Sequence, residues 1–179
     1  MWNDFKPEEI VGKDGTIDKY GLVKDFLDTS QCKEILLTGP EELSDFLENE
    51  IKTKFGVYCI YHADRKEVLD VGKSKNLRGR IRNQLIGVKR RDRSRPPKFP
   101  RLFFAFLKRE HNGMLQKEYN ALPDYKKKEY VESYRNEIFG PGNTLRVFFT
   151  KDHLRAIVLE HTLIKYFKSI GQCKYNFQV

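Results

Sequence analysis

The sequence predicts an α+β fold: a small antiparallel or mixed β-sheet flanked by helices, with an N-terminal extension and a helical insertion. Three observations predict it. Two short runs, GVYCIYHA from Gly56 and EVLDVG from Glu67, alternate in the two-residue rhythm of strands and are split by a polar Asp64-Arg65-Lys66 break, the pattern of an antiparallel hairpin. Directly after them Leu77, Ile81 and Leu85 recur at four-residue steps, which is a helix stripe. A later alternating run at 145–149 leads into a long helical pattern reaching about Lys168. At 179 residues the chain suffices for one elaborated domain or a core with a small appendage. The expected division is a helical extension over 1–53, packed on a main domain over 54–179.

In chain order, Leu22, Val23, Phe26 and Leu27 have helical spacing, and Ile35-Leu36-Leu37 reads as a short buried strand ended by Thr38-Gly39-Pro40. A helix follows from Pro40, with proline in its first turn, Glu41 and Glu42 near its positive end, and Leu43, Phe46, Leu47 and Ile51 on one face. Its acidic face, with Asp45, Glu48 and Glu50, would repel phosphate and is expected to lie away from any nucleic acid. On the first hairpin strand, Val57, Cys59 and Tyr61 share one face and Tyr58, Ile60 and His62 the other. The chain then turns at Gly72-Lys73-Ser74 into the helix of 76–85, where Asn76, Arg80 and Gln84 fall together beside the apolar stripe. A tyrosine on a strand, a lysine in a turn and an arginine on a helix are thereby expected to converge.

Residues 88–101 are the most basic stretch, and Pro96, Pro97 and Pro100 preclude a continuous helix, so this is a loop. As an arm that follows phosphates it adds Lys89, Arg90, Arg91, Arg93, Arg95 and Lys98 to Lys75, Arg78 and Arg82 as candidate nucleic-acid-binding residues; the alternative is a solvated basic loop. The aromatic run 101–107 reads as a central strand. Residues 109–143 read as an insertion whose helix, 125–138, packs Tyr130, Val131, Tyr134 and Ile138 on the core and ends at Gly140-Pro141-Gly142-Asn143. Thr150 is the expected N-cap of the last helix.

Charge and composition narrow the function classes. Lys and Arg number 34 against 25 Asp and Glu, a formal charge of +9, which favours a polyanionic partner, nucleic acid first. No apolar run reaches membrane-span length and the start, MWNDFKPEEI, lacks signal-peptide character, so a soluble cytoplasmic protein is expected, with no membrane partner. Cys32, Cys59 and Cys173 contain no CxxC pair, which argues against a structural zinc site or a disulfide framework. Glu160 stands out because it sits among Ala156, Ile157, Leu163, Ile164 and Phe167 on the last helix. A carboxylate in such a stripe is costly unless paired, metal-bound or protonated; a salt bridge to Arg80 or a lysine is the plain alternative. His153 and His161 are additional imidazoles on that helix, and His161 reads as a packing residue.

Two separated motifs carry a resemblance. Gly56-Val57-Tyr58, then Val71-Gly72-Lys73-Ser74-Lys75-Asn76-Leu77 with Arg80 behind it, and Glu160 with Leu163-Ile164-Lys165 followed by Lys174-Tyr175-Asn176, together resemble the GIY-YIG nuclease module. The resemblance covers about 54–82 and 154–176. It implies a GIY-YIG-like fold and Mg²⁺- or Mn²⁺-dependent endonucleolytic cleavage of DNA. Glu160 would bind the ion, and Tyr58 would take the proton of the attacking water through a phenol lowered by the cation and Lys73. Arg80 would clamp the phosphate, Lys73 would stabilise the tyrosinate or phosphate, and Asn176 would orient the site. The chain departs from the family at Asp70, which stands where the family carries the second tyrosine of its motif. Asp70 reads either as a second metal ligand, as a partner for Arg80, or as the mark of a member that binds nucleic acid with weak or lost cleavage. His62, on the Tyr58 face, is the candidate auxiliary base. A restriction-type enzyme is compatible with a compact chain carrying its own basic arm, and a homodimer would let two single sites cut both strands. The rivals are a non-catalytic nucleic-acid-binding protein on the same module and a structural domain.

Overall fold

The computed structural model describes residues 21–30, 32–51, 54–62, 67–86 and 100–175. Asn176 and the arm residues Lys89, Arg90, Arg91, Arg93, Arg95 and Lys98 lie outside the described residues. The fold is α+β. Strands β1 (Lys33–Leu36), β2 (Gly56–His62), β3 (Glu67–Ser74) and β4 (Asn143–Phe149) form one antiparallel sheet in the order β1-β4-β2-β3. Helices α1 (Gly21–Thr29), α2 (Pro40–Asn49), α3 (Leu77–Ile81), α4 (Pro100–Glu110), α5 (Gln116–Ala121), α6 (Asp124–Ile138) and α7 (His153–Ser169) flank it. α3 continues into one π-helical turn, Arg82–Ile86. Among the described residues no helix is long and apolar enough to cross a membrane.

The sheet is covered on both faces, and the alternation of β2 sorts its side chains between them. Val57 and Cys59 pack with Val23 and Phe26 of α1 and with Ala156, Leu159, Leu163 and Phe167 of α7. Tyr58 and Ile60 face the larger core, built from Leu43 and Leu47 of α2, Leu77 and Ile81 of α3, Phe103 and Phe106 of α4, and Val131, Tyr134 and Ile138 of α6. The insertion helix therefore packs its apolar stripe on the core, as its spacing requires.

One irregularity shapes the edge of the sheet. Ile60 opposes Asp70, but Tyr61 opposes Val68, so Leu69 is an extra residue on β3, a β-bulge. Leu69 belongs with the Tyr58 core and Asp70 reaches Tyr58 itself, so the bulge sets two successive residues on one face. It also resets which backbone groups look away from β2. The outer edge of β3 is occupied first by the segment 172–175: Val68 N–H donates to Gln172 O (2.6 Å), Lys174 N–H to Val68 O (2.8 Å) and Tyr175 N–H to Leu69 O (3.0 Å). Lys174, nearly buried, pairs with Glu110 (3.2 Å) and Glu137 (2.8 Å), which ties this segment to α4 and α6.

Five expectations are corrected. Residues 101–107 are helical, within α4: a contiguous apolar run has no period of its own, but Leu102, Phe103, Phe106 and Leu107 are buried at helical spacing, and proline stands at the helix start. The basic stretch of 88–101 accordingly gives way to helix at Pro100. The N-cap of α7 is Asp152, whose carboxylate accepts from Arg155 N–H at 2.9 Å, while Thr150 Oγ1 donates to the Asp152 carbonyl. Gly72, Lys73 and Ser74 are strand residues opposite Tyr58, Val57 and Gly56, and the turn comes after them. β1 is an edge strand whose Leu36 is exposed, not a buried one.

Gly72 has a steric reason. A Cβ there would lie 2.4 Å from Tyr58 Oη, because the tyrosine ring crosses directly over the opposing residue. Gly72→Ala is expected to cost roughly 1–3 kcal/mol of stability, the usual range for overpacking. Urea denaturation of Gly72→Ala, Tyr58→Ala and the double variant checks it: the Gly72→Ala cost should shrink when the ring is gone, and strict additivity would contradict the packing account.

Candidate functional site

Tyr58, central on β2, is fully buried beneath the larger core. Its Oη lies 2.9 Å from Asp70 Oδ2 and also against Gln84 Oε1. A phenol has one proton and cannot donate to both oxygens, while Gln84 Nε2 is buried with no partner among the described residues. Turning the Gln84 amide over resolves both facts: Tyr58 donates to the carboxylate and accepts from the amide N–H. Gln84 reaches this spot because the π-helical turn carries it inward, and the Tyr134 hydroxyl from α6 holds that turn by donating to the Gln84 carbonyl at 3.1 Å. Burial pushes the Tyr58 phenol well above its ordinary 10, and the Asp70 charge adds to this against the opposing Arg80 and Arg101. Here desolvation outweighs Arg80 and Arg101, so the lowering expected from the sequence would have to come from a bound metal cation.

Asp70 is itself buried, 1% exposed. Arg101, the second residue of α4, donates from Nη2 to Asp70 Oδ1 at 2.9 Å, and the same nitrogen reaches the Val71 carbonyl at 3.4 Å. Burial raises the Asp70 pKa from its ordinary 3.8; Arg101, the Tyr58 hydrogen bond and Arg80 oppose the rise, and Glu160 adds to it.

Glu160 approaches from the opposite face of the sheet, on α7. Its Oε1 accepts from the Lys73 backbone N–H at 3.1 Å, and its Oε2 takes the Lys73 ammonium. Of the salt-bridge partners weighed from the sequence, the lysine is the one this geometry supplies. The two halves meet around the outer edge of β3, where Arg101 holds the Val71 carbonyl and Glu160 the Lys73 amide, two residues further along. Arg80, on α3, acts electrostatically on both Tyr58 and Asp70. The structure thus gathers Tyr58, Asp70, Lys73, Arg80 and Glu160, together with Gln84 and Arg101, which the sequence patterns had not brought forward as site residues. Gln84 was visible as a neighbour of Arg80 on a polar helix face; Arg101 was hidden by the strand assignment.

Other candidates stand apart. His62 closes the far end of β2, four residues and roughly 13 Å from Tyr58 at about 3.3 Å per strand residue, paired across from Glu67 and Asn143. His161 is exposed, because it falls on the outer face of α7 and not in a packing position. His153 lies beside the Phe55 ring. Arg78 and Arg82 both ion-pair with Glu48, and Lys75 is exposed. The acidic helix α2 therefore lies against the basic helix: Leu43 and Leu47 anchor α2 in the same core that buries Leu77 and Ile81, which sets Glu48 beside the arginines.

Among the described residues no three His, Cys, Asp or Glu side chains gather as a metal cage. Glu160 suits a different kind of site. It is nearly buried, one oxygen is fixed by a backbone amide, and the other already carries a cation in the form of the Lys73 ammonium. A hydrated Mg²⁺ or Mn²⁺ held here would use this one carboxylate and its own waters, and would have to displace the Lys73 ammonium from Glu160. Comparison with protein-family models, with curated proteins and with solved structures returned no match.

The Asp70 shift gives a measurable pH dependence. The folded protein holds this proton more tightly than the unfolded chain, so the penalty for a buried charge is absent below 3.8 and grows as pH rises through the folded value. Asp70→Asn cannot ionise, so its stability relative to wild type should improve as pH rises from 3.8. Urea denaturation at a series of pH values checks this; a difference that stays flat or moves the other way contradicts the assignment.

Proposed function

We propose that the chain is a divalent-metal-dependent endonuclease of the GIY-YIG kind that hydrolyses phosphodiester bonds in DNA, with a restriction-type enzyme as the specific form. The observation that carries the reading is the convergence of Glu160, Lys73, Arg80, Tyr58 and Asp70 from two strands and two helices on one edge of the sheet. A nearly buried carboxylate on α7 is held in place by a strand amide 87 positions earlier in the chain, so the two separated motifs meet at one spot. The formal charge of +9 suits a polyanionic substrate.

Hydrolysis needs charge neutralisation at the scissile phosphate, an activated water and donors for the transition state. A hydrated Mg²⁺ or Mn²⁺ on Glu160 would supply the first. Arg80 offers a planar fork for the phosphate, and the Lys73 ammonium, once released from Glu160, a second positive charge. Tyr58 is hydrogen-bonded to Asp70, so if substrate binding opens its enclosed hydroxyl to water, it would accept a proton while passing its own to the carboxylate. This relay removes the need for a free tyrosinate. It gives Asp70 a role that neither metal ligation nor pairing with Arg80 supplies.

A second reading is favoured by a specific fact: Tyr58 is fully buried and its phenol is raised, as suits a protein that binds nucleic acid without cutting it. Plasmid cleavage in Mg²⁺, Mn²⁺ and EDTA separates the two. Wild type is expected to cut only with metal, Glu160→Gln to be inactive, and Tyr58→Phe to lose roughly 10²–10⁴-fold, the scale of a general base. Discrete fragments identify the restriction-type form, and double-strand cuts by a dimer in solution identify paired sites. Salt-dependent DNA binding that ignores both metal and Glu160→Gln, with no cleavage, establishes the binding protein instead, and a gain of cutting in Asp70→Tyr would trace the loss to Asp70.

A further inference from the structure

Arg101 belongs to neither of the two sequence motifs, yet its setting is unusual. Its side chain is 46% exposed, while the carboxylate that holds it is 1% exposed. A buried carboxylate is expensive, and an ion pair at this depth is weak as a stabilising device. What it does provide is a fixed direction for a long, otherwise mobile side chain. The hydrogen bonds of the guanidinium to Asp70 Oδ1 and to the Val71 carbonyl both leave from Nη2. An arginine carries five N–H donors, so Nη1 and Nε stay outside that grip, although the guanidinium is also in hydrogen-bonding reach of the Tyr58 hydroxyl. The half-exposed guanidinium stands on the same stretch of the β3 edge as Lys73 and Glu160, and its charge is felt by Tyr58, Asp70 and Glu160 alike.

We propose that Arg101 is a substrate-contacting residue that binds a backbone phosphate of the nucleic acid, and that Asp70 is its positioning residue, pinning Nη2 so that the remaining donors meet the phosphate. The geometry is that of a fork with one tine anchored. With Nη2 held by Asp70 and the Val71 carbonyl, the Nη1 hydrogens offer a phosphate oxygen a contact fixed in direction, which a lysine's freely rotating ammonium would not. The inference rests on the nucleic-acid reading of the site but not on cleavage, since a phosphate contact serves a binding protein equally.

The test is binding of the full chain to a short DNA duplex in EDTA, where no cutting occurs, at a series of salt concentrations. Each phosphate contact contributes about 0.9 to the slope of log K against log salt. Arg101→Gln, which can still hydrogen-bond Asp70, and Arg101→Ala should each lower the slope by about one contact. Arg101→Lys should retain the slope but bind less tightly than wild type. Lys126→Gln, an exposed charge on α6, should leave the slope unchanged and controls for net charge. In an Asp70→Asn background the loss caused by Arg101→Gln should shrink, because the guanidinium is no longer aimed; thermal unfolding of each variant shows that the fold is intact. An unchanged slope in a folded Arg101→Gln overturns the phosphate contact, and additive effects at 70 and 101 overturn the positioning role. A lowered slope in a protein that never cuts DNA keeps this inference and removes the nuclease reading; cutting by wild type with an unchanged slope does the reverse.

Discussion

The outer edge of β3 is the constraint on which the rest of this structure depends. An edge strand presents backbone donors and acceptors that must be satisfied or left to water. Here the first part of the edge is closed by the chain's own 172–175 segment, anchored through Lys174 to Glu110 and Glu137. The next part is closed by side chains: Arg101 on the Val71 carbonyl and Glu160 on the Lys73 amide. The bulge at Leu69 decides this phase, since without it the outward groups would fall one residue away and Asp70 would leave the Tyr58 face. One extra residue thereby brings together charges that arrive from opposite faces of the sheet.

Those charges also explain the packing around them. Tyr58 crosses over Gly72, and no larger residue fits beneath it. Its hydroxyl is enclosed by Asp70 and Gln84, Gln84 is carried inward by a π-helical turn, and the turn is fastened by Tyr134 from the insertion helix. The buried acids Asp70 and Glu160 are compensated by Arg101 and Lys73 respectively. Such pairs add little to stability compared with an apolar core of the same volume. Their concentration at one place, beside Arg80, is the reason for placing the proposed chemistry at this edge and not elsewhere on the sheet.

Much of the framework was legible in the sequence because it is periodic. The two-residue rhythm of β2 sorts Val57 and Cys59 from Tyr58 and Ile60, and Leu77, Ile81 and Leu85, at four-residue steps, are all buried. The 101–107 run was not legible, since unbroken apolar residues fit a strand and a buried helix equally, and with that error Arg101 was lost from view. Glu160 was legible as a misfit in an apolar stripe, but its partner was not, because pairing depends on which backbone amide β3 turns outward. Asp70 was legible only as a departure from the resembling family. Its connection to Arg101 spans 31 positions, and no local pattern announces it.

The proposed function requires that the Glu160 carboxylate, oriented by the Lys73 amide, take a divalent cation. Manganese titration of the ¹⁵N-labelled protein, followed by line broadening of backbone amides, tests it most directly. The amides of Lys73, Gly72 and Glu160 are expected to broaden first, at substoichiometric Mn²⁺, and Glu160→Gln is expected to remove the effect while leaving the rest of the spectrum in place. Broadening centred elsewhere, or unchanged in Glu160→Gln, would contradict it.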